Sequence, residues 1–504
     1  MSGLTAMARV LAAETGTRQA ICTLRHLHVA ARPIVLVPIT LAGETNAPLA
    51  VLVGDDRDRP QLIVTNRPRV REERLRFAER LGAELLLPIA NLARRTEVVP
   101  TTRRTTTVRR RAVEAPQIWV PNPAGVEFLR LLGRMTRFRS TVGQWAVAPS
   151  VPTLGIWATW FAEQSEFADS SVLVATTQAL TAMWATGQSD LEDGNLAALM
   201  AWIDPPPGTS AADAAARAED TIAFPPAGPA TDPQFDAVVL EPALRDLDAA
   251  PDDQVRERVL ARLASGLRDQ MQPTWDRVWR AIDLLDAVPA APHVAVRWER
   301  DRERFYAFAD YLNTIGLPQA RQDGAVRGAR RLTDLEVRKS TFDAQRAYDD
   351  ALVMAEYRLS GEAFRGIVVD ADADRVVRPS SRRVRRPLIT VTTRDPARLA
   401  PGDRELRDPQ RPTQEAAVID VESDGAQTRI RLELSGGLGS GTTGPAPSGS
   451  VPAVGDVVTY TRLKAGGYTH RGTFPNREDT PWTHGGPPAE YYVPTSHDAA
   501  EDWS

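Results

Sequence analysis

Arginine is the residue whose placement in this chain points most directly to chemistry. Five arginines fall between Arg378 and Arg386, at Arg378, Arg382, Arg383, Arg385 and Arg386, with no acid among them. A second run, Thr101 to Arg111, holds Arg103, Arg104, Arg109, Arg110 and Arg111. A third set lies at Arg321, Arg327, Arg330, Arg331, Arg338 and Lys339. A guanidinium fork matches two phosphate oxygens at once, so arginines gathered on one groove would hold a nucleic-acid backbone. The competing reading is a solvated surface, the usual fate of a charge run. Only Lys339 and Lys464 are lysines, so arginine carries nearly all the positive charge and its abundance alone says little.

Other constellations fail on spacing. A Walker A loop needs glycine before its lysine at the head of a helix. Arg338 precedes Lys339 and Leu463 precedes Lys464, which excludes that loop, and the scarcity of lysine speaks against a protein kinase. Gly439-Ser440-Gly441-Thr442-Thr443-Gly444 has the spacing of a dinucleotide fingerprint. Pro445 and Pro447 then follow where a helix must start, so it reads as a loop. None of the six histidines forms an i, i+4 pair with a glutamate between. His26 and His28 fall on one face of an expected strand, and a lone His-x-His is weak evidence for a metal. His484-Gly485-Gly486 has no Gly-x-Ser-x-Gly elbow to serve. Asp370, Asp372 and Asp374 open like a calcium loop, but Arg375 stands where glycine is needed and Ser381 where glutamate is. No catalytic residue, metal or cofactor is assigned.

The elements that would position the arginines come next. A weak amphipathic helix at 4–13 precedes strands at 33–39, 49–56 and 61–65. A charged helix follows from Val70 to Leu81, then a fourth strand at Leu85-Leu86-Leu87. That order resembles restriction-type nuclease cores. Such a core needs an acid on its second strand and an acid-x-lysine pair on its third. Asp55 and Asp56 end the second strand, but the third reads Gln61-Leu62-Ile63 with no lysine. A small α/β domain with a turn at Asp55–Arg59 is preferred, and a degenerate nuclease using Asp55, Asp56 and Glu72 is an alternative.

From 123 to 204 the apolar spacing is helical. Phe128, Leu131, Leu132 and Met135 form one face, and Leu173 to Trp184 and Leu196 to Trp202 read as further helices. Trp145, Trp157, Trp160, Trp184 and Trp202 read as the core of this region, with a base-stacking platform as the functional alternative. Residues 205–233 are rich in proline and alanine, with a short helix at 211–219. Residues 236–360 return to helical spacing, ending in a long charged helix from Arg327 to Leu359 with a break near Ser340.

Six strand signals then crowd into 362–463: Arg365–Asp370, Arg375–Val377, Pro387–Thr393, Ala417–Val421, Thr428–Leu434 and Gly455–Thr461. Asp424-Gly425 joins two of them as a hairpin. Strands with no helices between them predict a small OB or SH3-like barrel. The strand spacing and Gly455-Asp456-Val457-Val458 resemble the small barrels inserted in superfamily-1 helicases, which implies a nucleic-acid setting.

At 504 residues, several domains are expected. A net charge of −4 excludes a globally basic nucleic-acid binder but not a local patch. Cys22 is the only cysteine, so no intrachain disulfide forms. The first 18 residues lack a signal-peptide pattern and no window reaches roughly 18 consecutive apolar residues, so a soluble cytoplasmic protein without membrane contact is expected.

The expected architecture is multi-domain α+β. It runs as an α/β domain (1–100), a basic linker (101–116), a helical domain (117–204), a Pro/Ala-rich linker (205–235), a second helical domain (236–360), the β-barrel (362–470) and an extended tail (471–504). The expected function is a non-catalytic, nucleic-acid-associated accessory protein partnering a separate helicase or nuclease. Its contacts would be Arg103, Arg104, Arg109, Arg110, Arg111, Arg330, Arg331, Arg378, Arg382, Arg383, Arg385 and Arg386. The alternative from another class is a protein–protein scaffold using the helical middle and tail. Oligomeric state is not legible.

Overall fold

The computed structural model describes residues 3–99, 109–314 apart from 222, 226, 227 and 229, then 316, 323–378, 383–439 and 445–466. The architecture is mixed α+β, with an N-terminal α/β region, a helical middle and a C-terminal closed barrel. The described residues fall into two compact units, 5–335 and 336–466.

The first unit is built on a five-stranded sheet. Its strands are β1 (Ile34–Leu41), β2 (Glu44–Gly54), β3 (Gln61–Val64), β4 (Ile118–Val120) and β5 (Leu173–Ala175), in spatial order β3-β2-β1-β4-β5. β1, β2 and β3 pair antiparallel, while β4 and β5 run parallel to β1. Every residue of β1 is buried. An unbroken apolar run suits a strand covered on both faces rather than one with a wet side.

Helices α1 (Arg71–Arg94), α2 (Pro123–Thr136) and α3 (Ser150–Gln164) share one core with this sheet and with α5 (Pro292–Thr314). α4 (Asp253–Asp286) packs on β1 and β2. Its Trp275 is fully buried and donates its indole N–H to the Arg57 carbonyl at 2.9 Å. Around Trp157 the rings of Trp160, Phe305 and Phe308 lie 5.6, 5.5 and 5.1 Å away, centre to centre.

Three sequence expectations are corrected here. Leu85-Leu86-Leu87 is the continuation of α1, not a strand. Phe77, Leu81, Leu85 and Ile89 are buried at four-residue spacing, which is a helical stripe. Ile118–Val120 and Leu173–Ala175 lie in the region read as helical, yet both are sheet strands. Each is a three-residue buried run, too short to show its period. Finally, Trp157, Trp160, Trp184 and Trp202 are core residues, but Trp145 is 58% exposed.

His28 stacks on Trp298 with ring centres 4.0 Å apart. Burial, with Arg25 and Arg302 nearby, pushes its pKa down to about 4. The folded chain therefore binds that proton less readily than the unfolded one, whose histidine titrates near 6.5. The stability this preserves is complete above pH 6.5 and is lost as pH falls toward 4, amounting to roughly 2–3 kcal/mol. His28→Phe keeps a ring against Trp298 and removes the titration. Urea melts at pH 7 and pH 4.5 should show a smaller acid loss in the variant than in the parent; equal losses would place the acid sensitivity elsewhere.

The second unit holds α7 (Ala351–Ser360) and the barrel, preceded by the end of α6 (Ala325–Asp349). The long helix expected over 327–359 is divided at Asp350, not near Ser340. The Asp350 carboxylate accepts from the Leu352 N–H at 2.9 Å, an N-cap that starts a new helix. α7 stops at Gly361, whose φ of 81° is open to glycine at little cost.

The barrel strands are β6 (Ala363–Asp372), β7 (Leu388–Thr393), β8 (Leu406–Asp408), β9 (Arg411–Ser423), β10 (Thr428–Ser435) and β11 (Val457–Thr461). They close antiparallel in the order β6-β7-β10-β9-β8-β11. Alternation fills the interior with Val368, Ile389, Val391, Val418, Ile430, Leu432 and Tyr460, all buried. Arg375–Val377 is not a barrel strand: Val376–Val377 pairs with Val384–Arg385 as a separate ribbon, and Leu406–Asp408 supplies the sixth stave.

Candidate nucleic-acid interface

Among the described residues, several of the arginines picked out by sequence are held by carboxylates or carbonyls of their own unit. Arg103, Arg104, Arg321 and Arg382 lie outside the described residues. Arg109, Arg110 and Arg111 belong to a strand, Arg109–Ala112, that pairs with Thr96–Val99 and is therefore not a free linker at that point. Arg109 meets Glu303 at 2.8 Å. Arg111 meets Glu97 at 2.6 Å and Glu299 at 3.3 Å. That hydrogen bond from Arg111 is the main reason the Glu97 carboxyl titrates below the usual range. Arg110 reaches the Thr96 hydroxyl at 3.3 Å. Arg331 is held by Glu166 at 2.7 Å and Glu163 at 3.4 Å, and Arg330 is exposed.

In the second unit the loop arginines split in the same way. Arg378 and Arg383 are exposed. Arg385 points inward, 7% exposed, and donates to the Leu438 carbonyl at 3.1 Å. Arg386 is half-buried, donates to the Arg385 carbonyl at 3.2 Å and has Glu433 at 4.0 Å, where Arg375 also binds at 2.6 Å. Arg385 and Arg386 thus brace the ribbon against the barrel.

Two of the three nuclease-type acids have partners, while Glu72 is exposed. Asp55 pairs with Arg32 at 2.8 Å, and Asp56 accepts from the Asp58 N–H at 3.0 Å inside the β2–β3 turn.

A different set of cations comes together in the first unit. The start of α1, the end of α2 and the β1–β2 hairpin enclose a cavity of about 170 Å³. Its floor is Pro48, Leu75, Leu132 and Met135; Arg71, Arg74 and Arg139 rim it. All three arginines are half-buried. Arg74 donates to the Asn46 carbonyl at 3.3 Å and Arg139 Nε to the Met135 carbonyl at 2.8 Å, which fixes their stems. The nearby Glu44 is taken by Arg69 at 2.7 Å. Arg69's hydrogen bond, with Arg74 acting at longer range, holds its carboxyl below the usual range.

Beside this rim stands Trp145, with the Arg71 guanidinium carbon 5.6 Å from its ring centre. The loop that carries it is closed by its own bonds. Val147 N–H donates to the Ser140 carbonyl at 3.0 Å, and the Ser140 hydroxyl donates to the Val142 carbonyl at 2.8 Å. Gly143 turns the tip at φ 89°, a conformation side chains rarely adopt. The tip turns Val142, 76% exposed, and Trp145 toward solvent. An apolar pocket with a cationic rim and an exposed indole can take a flat ring or apolar group together with an attached anion.

Sequence reasoning missed this set because its parts come from separate elements. Arg71 and Arg74, one helical turn apart at the head of a charged helix, were the visible signal. Arg139 and Trp145 join them only through the fold. No family model, curated protein or solved structure matches the chain.

Proposed function

We propose that this protein is a nucleic-acid-associated accessory factor that engages an unpaired strand at the Arg71–Arg74–Arg139 rim, with Trp145 as the stacking surface. The observation that supports the reading is the contact of an exposed tryptophan with one of three arginines around a single pocket. Arginine forks recognise phosphates, and an exposed indole offers a face to any unstacked base. Duplexes hide their base faces, so single strands are the preferred form. The reading assigns the chain no reaction of its own; a helicase or nuclease that it serves would be a separate protein.

Fluorescence anisotropy with labelled single-stranded DNA, single-stranded RNA and duplex tests it. Three phosphates neutralised on a single strand predict a log–log salt slope of about −2. No binding to any of the three at low ionic strength discards the proposal. Trp145→Ala should weaken single-strand binding by about 1–3 kcal/mol, the worth of one stacked base. The same change should leave the melting temperature where it was, because the ring is 58% exposed.

A further inference from the structure

The barrel's outward surface is uneven. On β10, Arg429 and Arg431 stand opposite Glu422 and Asp420 of β9. Ion pairs within the unit join Arg358 to Asp395, Arg375 to Glu433, Arg407 to Glu415 and Arg462 to Asp403. The outward row of β6 is different. It reads Arg365, Ile367, Val369, Asp370, Asp372, and all five are exposed. A bulge between Val368 and Asp370 places Val369 and Asp370 in succession on that face. Val457 of β11 lies opposite Ile367 and widens the apolar centre. Ile367 and Val457 are 51% and 47% exposed, values that set them apart from the buried aliphatics of the same strands. Asp370 and Asp372 belong to none of the ion pairs just named; Arg365 donates its backbone N–H to Asp395 at 2.7 Å, and its charge acts on that carboxylate only at longer range.

Along one strand the order is therefore a cation, an aliphatic centre and two anions. This order is its own complement when the strand is reversed. A two-fold axis crossing β6 at Val368, between two facing barrels, sets Ile367 of one copy on Val369 of the other. It also carries Arg365 to the space between Asp370 and Asp372. A closed barrel has no open strand edge, so the contact must be face to face through side chains. We infer that the β6–β11 face is a homodimer interface, with a second copy of this chain as the occupant. The patch is small, which places the dimer in the weak, reversible class.

Sedimentation velocity on the full-length chain from about 5 to about 200 µM tests the inference. The parent should pass from monomer to dimer within that range. Arg365→Glu should weaken association at least about 10-fold, as should Asp370→Arg with Asp372→Arg, because each opposes like charges across the axis. Mixing the two variants should restore a dimer to within about 3-fold of the parent, since each chain then meets its opposite charge. All three positions are exposed, and circular dichroism checks that the variants are folded. A parent that stays monomeric, a dimer untouched by Arg365→Glu, or a mixture that fails to associate would each overturn the assignment.

Discussion

The double variant Arg71→Glu, Arg139→Glu should bind single-stranded DNA at least about 100-fold more weakly than the parent. Each arginine is half-buried on the rim of one pocket, where the low local dielectric strengthens its pull on an anion. Losing a charge-assisted hydrogen bond costs about 1.5–3 kcal/mol, and reversing the sign adds repulsion. Arg109→Glu with Arg331→Glu is the matched control. Those two arginines already face Glu303 and Glu166, so their reversal should change affinity by less than about 3-fold. If the control loses as much as the rim variant, net charge rather than the pocket governs binding.

Gly155→Val should have the largest effect on stability. α2 and α3 cross with glycines at the contact. A side-chain carbon at Gly155 would sit 2.3 Å from the Arg137 backbone nitrogen and 2.4 Å from the Thr136 hydroxyl. At Gly133 it would sit 2.4 Å from the Thr159 hydroxyl. Backbone cannot swing aside as a flexible side chain can, so the helices must separate. Overpacking against backbone falls at the upper end of the usual range, about 3 kcal/mol, and a unit of this size would melt roughly 4–5 °C lower. Thr136 and Arg139 help line the pocket, so the displaced helix end should also weaken strand binding. A melting temperature within about 2 °C of the parent would mean that the crossing relaxes without loss.

The barrel was legible in the sequence because its strands alternate and Asp424-Gly425 fixes a hairpin. Thr428 to Leu434 could hardly be read otherwise. Leu406–Asp408 escaped because three residues with two charges carry no period. The buried arginine at Arg385 escaped for a related reason. In Val384-Arg385-Arg386, sequence does not say which side chain faces inward, and the structure turns Arg385 in. In the first unit, β1 and β2 announced themselves as long apolar runs. Leu85-Leu86-Leu87 misled because its own triplet has no period, although counting back to Phe77 in fours gives one. The candidate interface was least legible. Residue type groups Trp145 with four core tryptophans, although its neighbours Ser140, Gly143 and Gln144 argue for a loop.

The ring of staves also bears on how the chain is made. β11 hydrogen-bonds to both β6 and β8, and so joins the first strand of the hoop to one near its middle. A ribosome that has released residues up to Ser435 has delivered five staves, yet the hoop stands open with two bare margins. It can shut only after Thr461 leaves the exit tunnel. That wait is the interval in which a nascent chain can pair wrongly with its neighbour on the same message.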